Sequence, residues 1–228
     1  LVKKLRPHCA EEQFYYDSQG RIVYTQESNG DHQFFFYDNL GRQVIKGWCN
    51  NFNYHHYEDV TMLTTGDGLL GSGYQYSLPN ALSHGIIGEA TYYDNYTFLN
   101  KSIVTSSPNA SLLTRQDNVN TAGLKTGSIV RTSSNKYLIS VFYYDEQGRV
   151  IDKRETLLNG GFRKTVTDYS FTDKPLTETC TLTVNGTTTI VTTYYEYYTS
   201  NNQLKKLSIA FNSATPVTVA EYEYNDLG

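Results

Sequence analysis

The amino-acid sequence predicts an all-β chain, with consecutive antiparallel β-hairpin repeats forming a long, twisted, curving sheet. Three observations predict it. One eight-residue turn phrase recurs along the chain, its flanks are aromatic and β-branched, and no stretch carries apolar residues at a convincing helical spacing.

The phrase reads aromatic, Asp, two variable residues, Gly, Arg, then β-formers. It stands at Tyr16-Asp17-Ser18-Gln19-Gly20-Arg21-Ile22-Val23, at Tyr37-Asp38-Asn39-Leu40-Gly41-Arg42-Gln43-Val44 and at Tyr144-Asp145-Glu146-Gln147-Gly148-Arg149-Val150-Ile151. Asp at the first position of a β-turn accepts a backbone N–H two residues on, and Gly supplies the positive φ that closes the turn with a bulge. Twelve residues therefore form a structural turn motif: Tyr16, Asp17, Gly20, Arg21, Tyr37, Asp38, Gly41, Arg42, Tyr144, Asp145, Gly148 and Arg149.

Weaker copies follow. Tyr169–Leu176 keeps the aromatic, the base and the apolar return but has neither the Asp nor the Gly. Tyr197–Leu204 keeps the outline, with Asn201 expected in the left-handed region in place of Gly. Tyr224–Gly228 begins another copy, and Tyr92-Tyr93-Asp94-Asn95-Tyr96 reads as a degenerate one. Tyr16 to Tyr37, Tyr144 to Tyr169, Tyr169 to Tyr197 and Tyr197 to Tyr224 are steps of 21, 25, 28 and 27 residues. A period in this range marks an array in which each unit contacts mainly its neighbours. Asn185-Gly186, between two runs of alternating β-formers, predicts a tight hairpin. Asn159-Gly160-Gly161 joins a strand over 149–158 to one over 162–169, and a last pair runs over 204–211 and 217–224. The expected organisation is one elongated array over 1–228. It has two clear repeats in 1–47, an irregular insertion over 48–90 and a meander over 91–228, within which 105–122 is irregular.

The phrase resembles the YD repeat of bacterial RHS and wall-associated proteins, found also in teneurins and toxin-complex shell proteins. Besides the three clear copies, Gly88-Glu89-Ala90-Thr91-Tyr92-Tyr93-Asp94 and Gly123-Leu124-Lys125-Thr126-Gly127 carry the resemblance, and 48–87 fits it least. The resemblance implies a sheet that spirals into a hollow β-shell enclosing or displaying a C-terminal toxin or effector domain, at the cell surface or secreted. It also implies that this chain is a fragment of a larger protein, with the remainder of the polypeptide as its partner. The chain starts at Leu1 and stops at Gly228 inside a turn phrase, which leads to the same expectation; no signal peptide is visible in the fragment. Open strand edges predict edge-to-edge self-association.

Composition narrows the function classes. Hydrophobic residues make up 39% and charged residues 18%, with 21 Tyr and 10 Phe, so aromatic faces rather than an aliphatic core are expected to be buried. A net charge of −4 argues against nucleic-acid binding, and no segment has the apolar length of a membrane helix. No catalytic residues, cofactor or metal ligands are expected. His55-His56-Tyr57-Glu58-Asp59 matches no zinc spacing, because alternation in a strand sends the two histidines to opposite faces. Thr65-Gly66-Asp67-Gly68 and Gly71-Ser72-Gly73 lack the helix or acidic loop that phosphate or calcium would need, and read as a flexible loop. Arg21, Arg42 and Arg149 read as exposed strand positions with their stems over neighbouring Tyr rings. The odd count of Cys9, Cys49 and Cys180 favours free thiols, with a Cys9–Cys49 bridge open as the alternative. The expected function is a non-catalytic wall segment; the alternative is a carbohydrate-binding module that stacks sugars on exposed tyrosines.

Overall fold

The computed structural model describes residues 2–4, 12–27, 32–49, 60–68, 72–75, 85–116, 119–133 and 136–225. It is all-β and antiparallel, with a few short helical turns. The chain divides into two compact units, Leu1–Ala110 with Ala122–Ile139, and Ser111–Thr121 with Ser140–Gly228.

In the first unit, β1 (Val2–Lys4), β2 (Glu12–Tyr16), β3 (Ile22–Glu27), β4 (His32–Tyr37) and β5 (Gln43–Trp48) pair in chain order. The order then skips β6 (Thr61–Met62) and β7 (Tyr74–Gln75), which pair only with each other, and continues with β8 (Ile86–Asp94) and β9 (Thr121–Arg131). The return to the sheet at Ile86 falls inside the stretch expected to be irregular. Alternation on β4 seals Phe34 and Phe36 from solvent, and Val44 and Ile45 of β5 are buried with them. The short hairpin is tied to the sheet through the Val60 amide to the Tyr37 carbonyl (2.9 Å) and through the Tyr74 hydroxyl to the Thr91 carbonyl (2.8 Å).

The connection from β8 to β9 corrects the expectation of structureless sequence. It contains a 3-10 turn (Thr97–Asn100) and two one-turn helices, α1 (Ser102–Thr105) and α2 (Ala110–Leu113). Four-residue helices leave too short a sequence period to read, and it is Phe98, Ile103, Val104 and Leu113, all buried, that hold these turns in place. Phe98 stacks on Tyr92 with centroids 4.2 Å apart and planes 7° apart, and Tyr92 stacks in turn on Tyr74 at 5.7 Å and 7°. Gly127 makes room for this stack, since a Cβ there would lie 2.2 Å from the Phe98 ring.

The second unit is a meander. β10 (Tyr137–Tyr144) enters it at Ser140, and β11 (Val150–Thr156), β12 (Phe162–Tyr169), β13 (Pro175–Val184), β14 (Thr187–Tyr197), β15 (Leu204–Phe211) and β16 (Val217–Glu221) follow, each paired with the next. Asn185 and Gly186 hold φ of 50° and 78°, as a two-residue primed turn requires. Asn159 and Gly160 likewise take positive φ, at 61° and 77°.

Candidate functional site: the Asp-Gly-Arg turn and its tyrosine latch

All three clear copies of the phrase close the same turn. The Gly20 amide donates to the Asp17 carbonyl (3.1 Å), and the Asp17 amide to the Arg21 carbonyl (3.0 Å). Gly41 with Asp38 and Gly148 with Asp145 repeat both bonds. The three glycines sit at φ of 77–78°. One carboxylate oxygen of each Asp accepts two amides, those of Gln19 and Arg21, of Leu40 and Arg42, and of Gln147 and Arg149, at 2.9–3.0 Å. The other takes the Nε of the turn's own arginine at 2.6, 2.6 and 2.7 Å. The arginines are thus folded back onto their turns, where the sequence suggested open strand positions; their seats over Tyr rings are as expected.

One residue into each return strand the register slips. Tyr15 pairs with Tyr24 but Tyr16 with Ile22, and the same step occurs at Tyr37, Tyr144, Tyr169 and Tyr197. A bulge at that place bends the strand and increases its local twist.

Beyond its own Asp, each arginine reaches forward. Arg21 lies over the Tyr37 ring (4.6 Å), Arg42 over Tyr93 (4.2 Å) and Arg149 over Tyr169 (4.9 Å). Arg42 also binds both carboxylate oxygens of Asp94, at 3.2 and 2.5 Å, and Arg149 binds the Ser170 carbonyl (3.0 Å) and the Asp173 carboxylate (2.7 Å). The tyrosines reach back. The hydroxyl of Tyr37 donates to the Ile22 carbonyl, Tyr169 to Val150, Tyr197 to Pro175 and Tyr224 to Leu204, at 2.8–3.2 Å. In each case the acceptor is the first residue of the preceding return strand. Of the expected tyrosines, Tyr37 is latched and half-buried, Tyr144 is buried, and Tyr16 is 41% exposed.

The degenerate copies keep the geometry with other residues. At Tyr169, Ser170 takes the place of Asp, its hydroxyl accepting the amides of Thr172 (3.2 Å) and Lys174 (3.1 Å), and Asp173 holds φ 60° in place of Gly. At Tyr197 the positive φ falls on Asn202 (56°), not on Asn201 as expected. That loop closes from the Tyr198 amide to the Gln203 carbonyl, one residue longer than the others, which moves the left-handed position along by one. At the Tyr92–Tyr96 copy, Tyr93 takes the forward arginine as Tyr37 and Tyr169 do, and Asp94 binds it as well, but the Asp-Gly-Arg turn does not follow. Asp94, at φ 70°, instead accepts the Gly123 amide across the base of the β8–β9 connection.

Charge follows this geometry. Bonds from the Arg42 guanidinium hold the Asp94 carboxyl below its ordinary value, with the Gly123 amide adding to them against a smaller effect of burial. At Asp17 and Asp145 partial burial pushes the carboxyl up, but the amide and guanidinium bonds together outweigh it and the net shift is downward. The Asp94 and Asp38 carboxylates raise the Arg42 guanidinium above its usual range against partial burial. Burial pushes the Tyr37 hydroxyl upward.

Other candidate chemistry resolves into structure. The loop containing Thr65-Gly66-Asp67-Gly68 is tied down rather than loose: the Lys101 ammonium donates to the carbonyls of Leu63 (2.9 Å) and Gly66 (2.8 Å), and Asp67 accepts the Ser102 amide (2.7 Å). Lys101 is 2% exposed, a burial that nothing in its local sequence signals. Gly71 and the His55–Asp59 cluster lie outside the described residues. Among the described residues no three His, Cys, Asp or Glu side chains gather as for a metal. Cys49 is a free, buried thiol, pushed up to about 11 by burial, and Cys180 is free; Cys9 lies outside the described residues.

No protein-family model matches the chain, and no curated protein does. Among solved structures it is similar to a mutant Tc holotoxin pore of Photorhabdus luminescens, with TM-score 0.40 and 14% identity over 92% of this chain and 9% of that one. It is also similar to the TcdB2–TccC3 complex, with TM-score 0.27 and 12% identity over 96% of this chain and 11% of that one. The chain spans about a tenth of the length of these structures' chains. No helix among the described residues is long and apolar enough to cross a membrane.

Proposed function

We propose that the chain is a non-catalytic wall segment of a larger RHS-type surface or secreted protein, with the remainder of its own polypeptide as partner. The observation that supports this is the latch. Four tyrosine hydroxyls, one in a clear copy of the phrase and three in weaker copies, bond the same position of the preceding hairpin. A bond repeated in four copies, beside turns in which each arginine is paired with its own aspartate, suits stitching hairpins into a continuous wall and leaves little for catalysis. In the full-length polypeptide, replacing Arg42 and Arg149 by Met together should open the sequence downstream of residue 228 to protease, at a dose the unaltered protein resists. Equal resistance in both proteins would overturn the reading. The second reading, sugar stacking, rests on the exposed rings of Tyr16, Tyr194, Tyr222 and Tyr224. A glycan array without hits would remove it.

A further inference from the structure

In the second unit, three successive carbonyls of the stretch 111–115 are held by side chains of β10 and β11. Arg154 Nη1 donates to the carbonyls of Leu112 (3.1 Å) and Thr114 (2.6 Å), and the Tyr143 hydroxyl donates to that of Leu113 (2.7 Å). The Arg115 amide closes the set by donating to the same hydroxyl (2.9 Å). The remaining face of the Arg154 guanidinium, Nε and Nη2, grips the Asp152 carboxylate at 2.9–3.2 Å. Asp152 is 3% exposed, with Arg115 Nη1 at 3.6 Å and Lys164 Nζ at 3.9 Å. Both arginines lie over the Tyr143 ring, at 5.4 and 5.7 Å. The register explains the convergence: Asp152 pairs with Tyr143 across β10 and β11, and Arg154, two residues on, shares their face.

We propose that residues 111–115 are a strap that opens and closes as a unit over β10 and β11, with Asp152 as its buckle. Two side chains, Arg154 and Tyr143, carry four backbone contacts of the strap, so they are lost together rather than one by one. Arg154, whose side chain is 13% exposed, can stay in this place only while the buried Asp152 balances its charge. Removing one member of a buried ion pair leaves the other uncompensated, and the guanidinium then turns to water and releases both carbonyls.

Hydrogen exchange of the intact chain, followed by mass spectrometry, tests this. In Asp152→Asn, amides of 111–116 should exchange about tenfold faster or more than in the unaltered chain, while those of β13–β15 keep their rates. Arg115→Gln, which takes the strap's own cation away from Asp152 and the Tyr143 ring but leaves the Arg154–Asp152 pair in place, should accelerate the same peptide by a smaller factor and serves if Asp152→Asn does not fold. Unchanged exchange of 111–116 in the folded variants would overturn the proposal. So would a rise shared equally by the strap and β13–β15, which would make Asp152 a support of the whole sheet.

Discussion

Phe34, Phe36, Ile45, Tyr92 and Phe98 of the first unit are all but sealed from solvent, whereas no side chain of β13 or β14 in the second unit is fully buried. Both units use the same turn and the same backward tyrosine bond. What differs is the cover. In the first, Tyr74 of the short β6–β7 hairpin and Phe98, Ile103 and Val104 of the turns that follow β8 add buried side chains. In β12 to β15 the strands carry threonines, isolated aliphatics and charges. Hydroxyl pairs there, Thr179 with Thr192 (3.3 Å) and Thr183 with Thr188 (3.0 Å), do cross-strand work that packing does elsewhere. The turn and latch thus carry the sheet through β13 and β14 without a sealed core.

The largest expected effect tests that contrast directly. Phe98→Ala removes one member of the aromatic stack and should cost about 3–5 kcal/mol in chemical denaturation. Leu182→Ala, in the middle of half-exposed β13, should cost about 1 kcal/mol or less. Similar costs at the two sites would break the comparison, since they would mean the thin sheet depends on side-chain burial as much as the covered one.

The turn was legible in the sequence because everything that makes it lies within five residues. Asp17, Gly20 and Arg21 each act on a backbone group of their own turn, so residue type and spacing specify the geometry. The latch was not legible, because its donor and acceptor are 15, 19, 22 and 20 residues apart in the four cases. Only the near-constancy of that interval, visible in the tyrosine spacing, hinted at it. Ser170 and Asp173 show why the degenerate copy looked worse than it is: a hydroxyl caps amides as a carboxylate does, and Asp tolerates the left-handed region. Lys101 gave no signal, since the carbonyls it binds are 35 and 38 residues away. Asp94 was visible only as part of a degenerate copy, because its partners Arg42 and Gly123 are 52 and 29 residues away.

The forward reach of the arginines couples each turn to the copy that follows it. Arg42→Met leaves Asp38 and Asp94 without their shared cation and should cost about 1–2 kcal/mol, the lower part of the range for charge-assisted bonds because the site is partly open to water. The damage should fall on the following copy. Amides around Asp94 and Gly123 should gain exchange as much as those of the turn over 38–42. Loss confined to 38–42 would mean that each turn stands alone.

Gly41→Ala should be milder in reach, costing about 1–2 kcal/mol through the left-handed backbone alone. Its new Cβ would meet only Arg21 Nη1 at 3.8 Å, an ordinary contact. The same replacement at Gly148, which has φ 78° in the second unit, should cost a similar amount despite the thinner sheet. A large difference between the two would show that the cover, and not the turn, sets the penalty.

The smallest effect is acid dependence, and its sign follows from the lowered carboxyls of Asp17, Asp94 and Asp145. A carboxyl whose folded pKa lies below its unfolded value near 3.9 stabilises the fold fully above that value, and the contribution is lost as pH falls through the folded pKa. Stability should therefore be flat from neutral pH down to about 4 as far as these groups are concerned, and decline below it. The two units should respond alike in onset, because Asp17 and Asp145 sit in the same turn with the same partners. Asp94→Asn should remove part of the decline from the first unit only, as read by exchange in peptides of β5 and β8 against those of β11 and β12. If both units lost the same share, the carboxyls would be acting through overall charge, and the arginine at each turn would have no local part in the acid response.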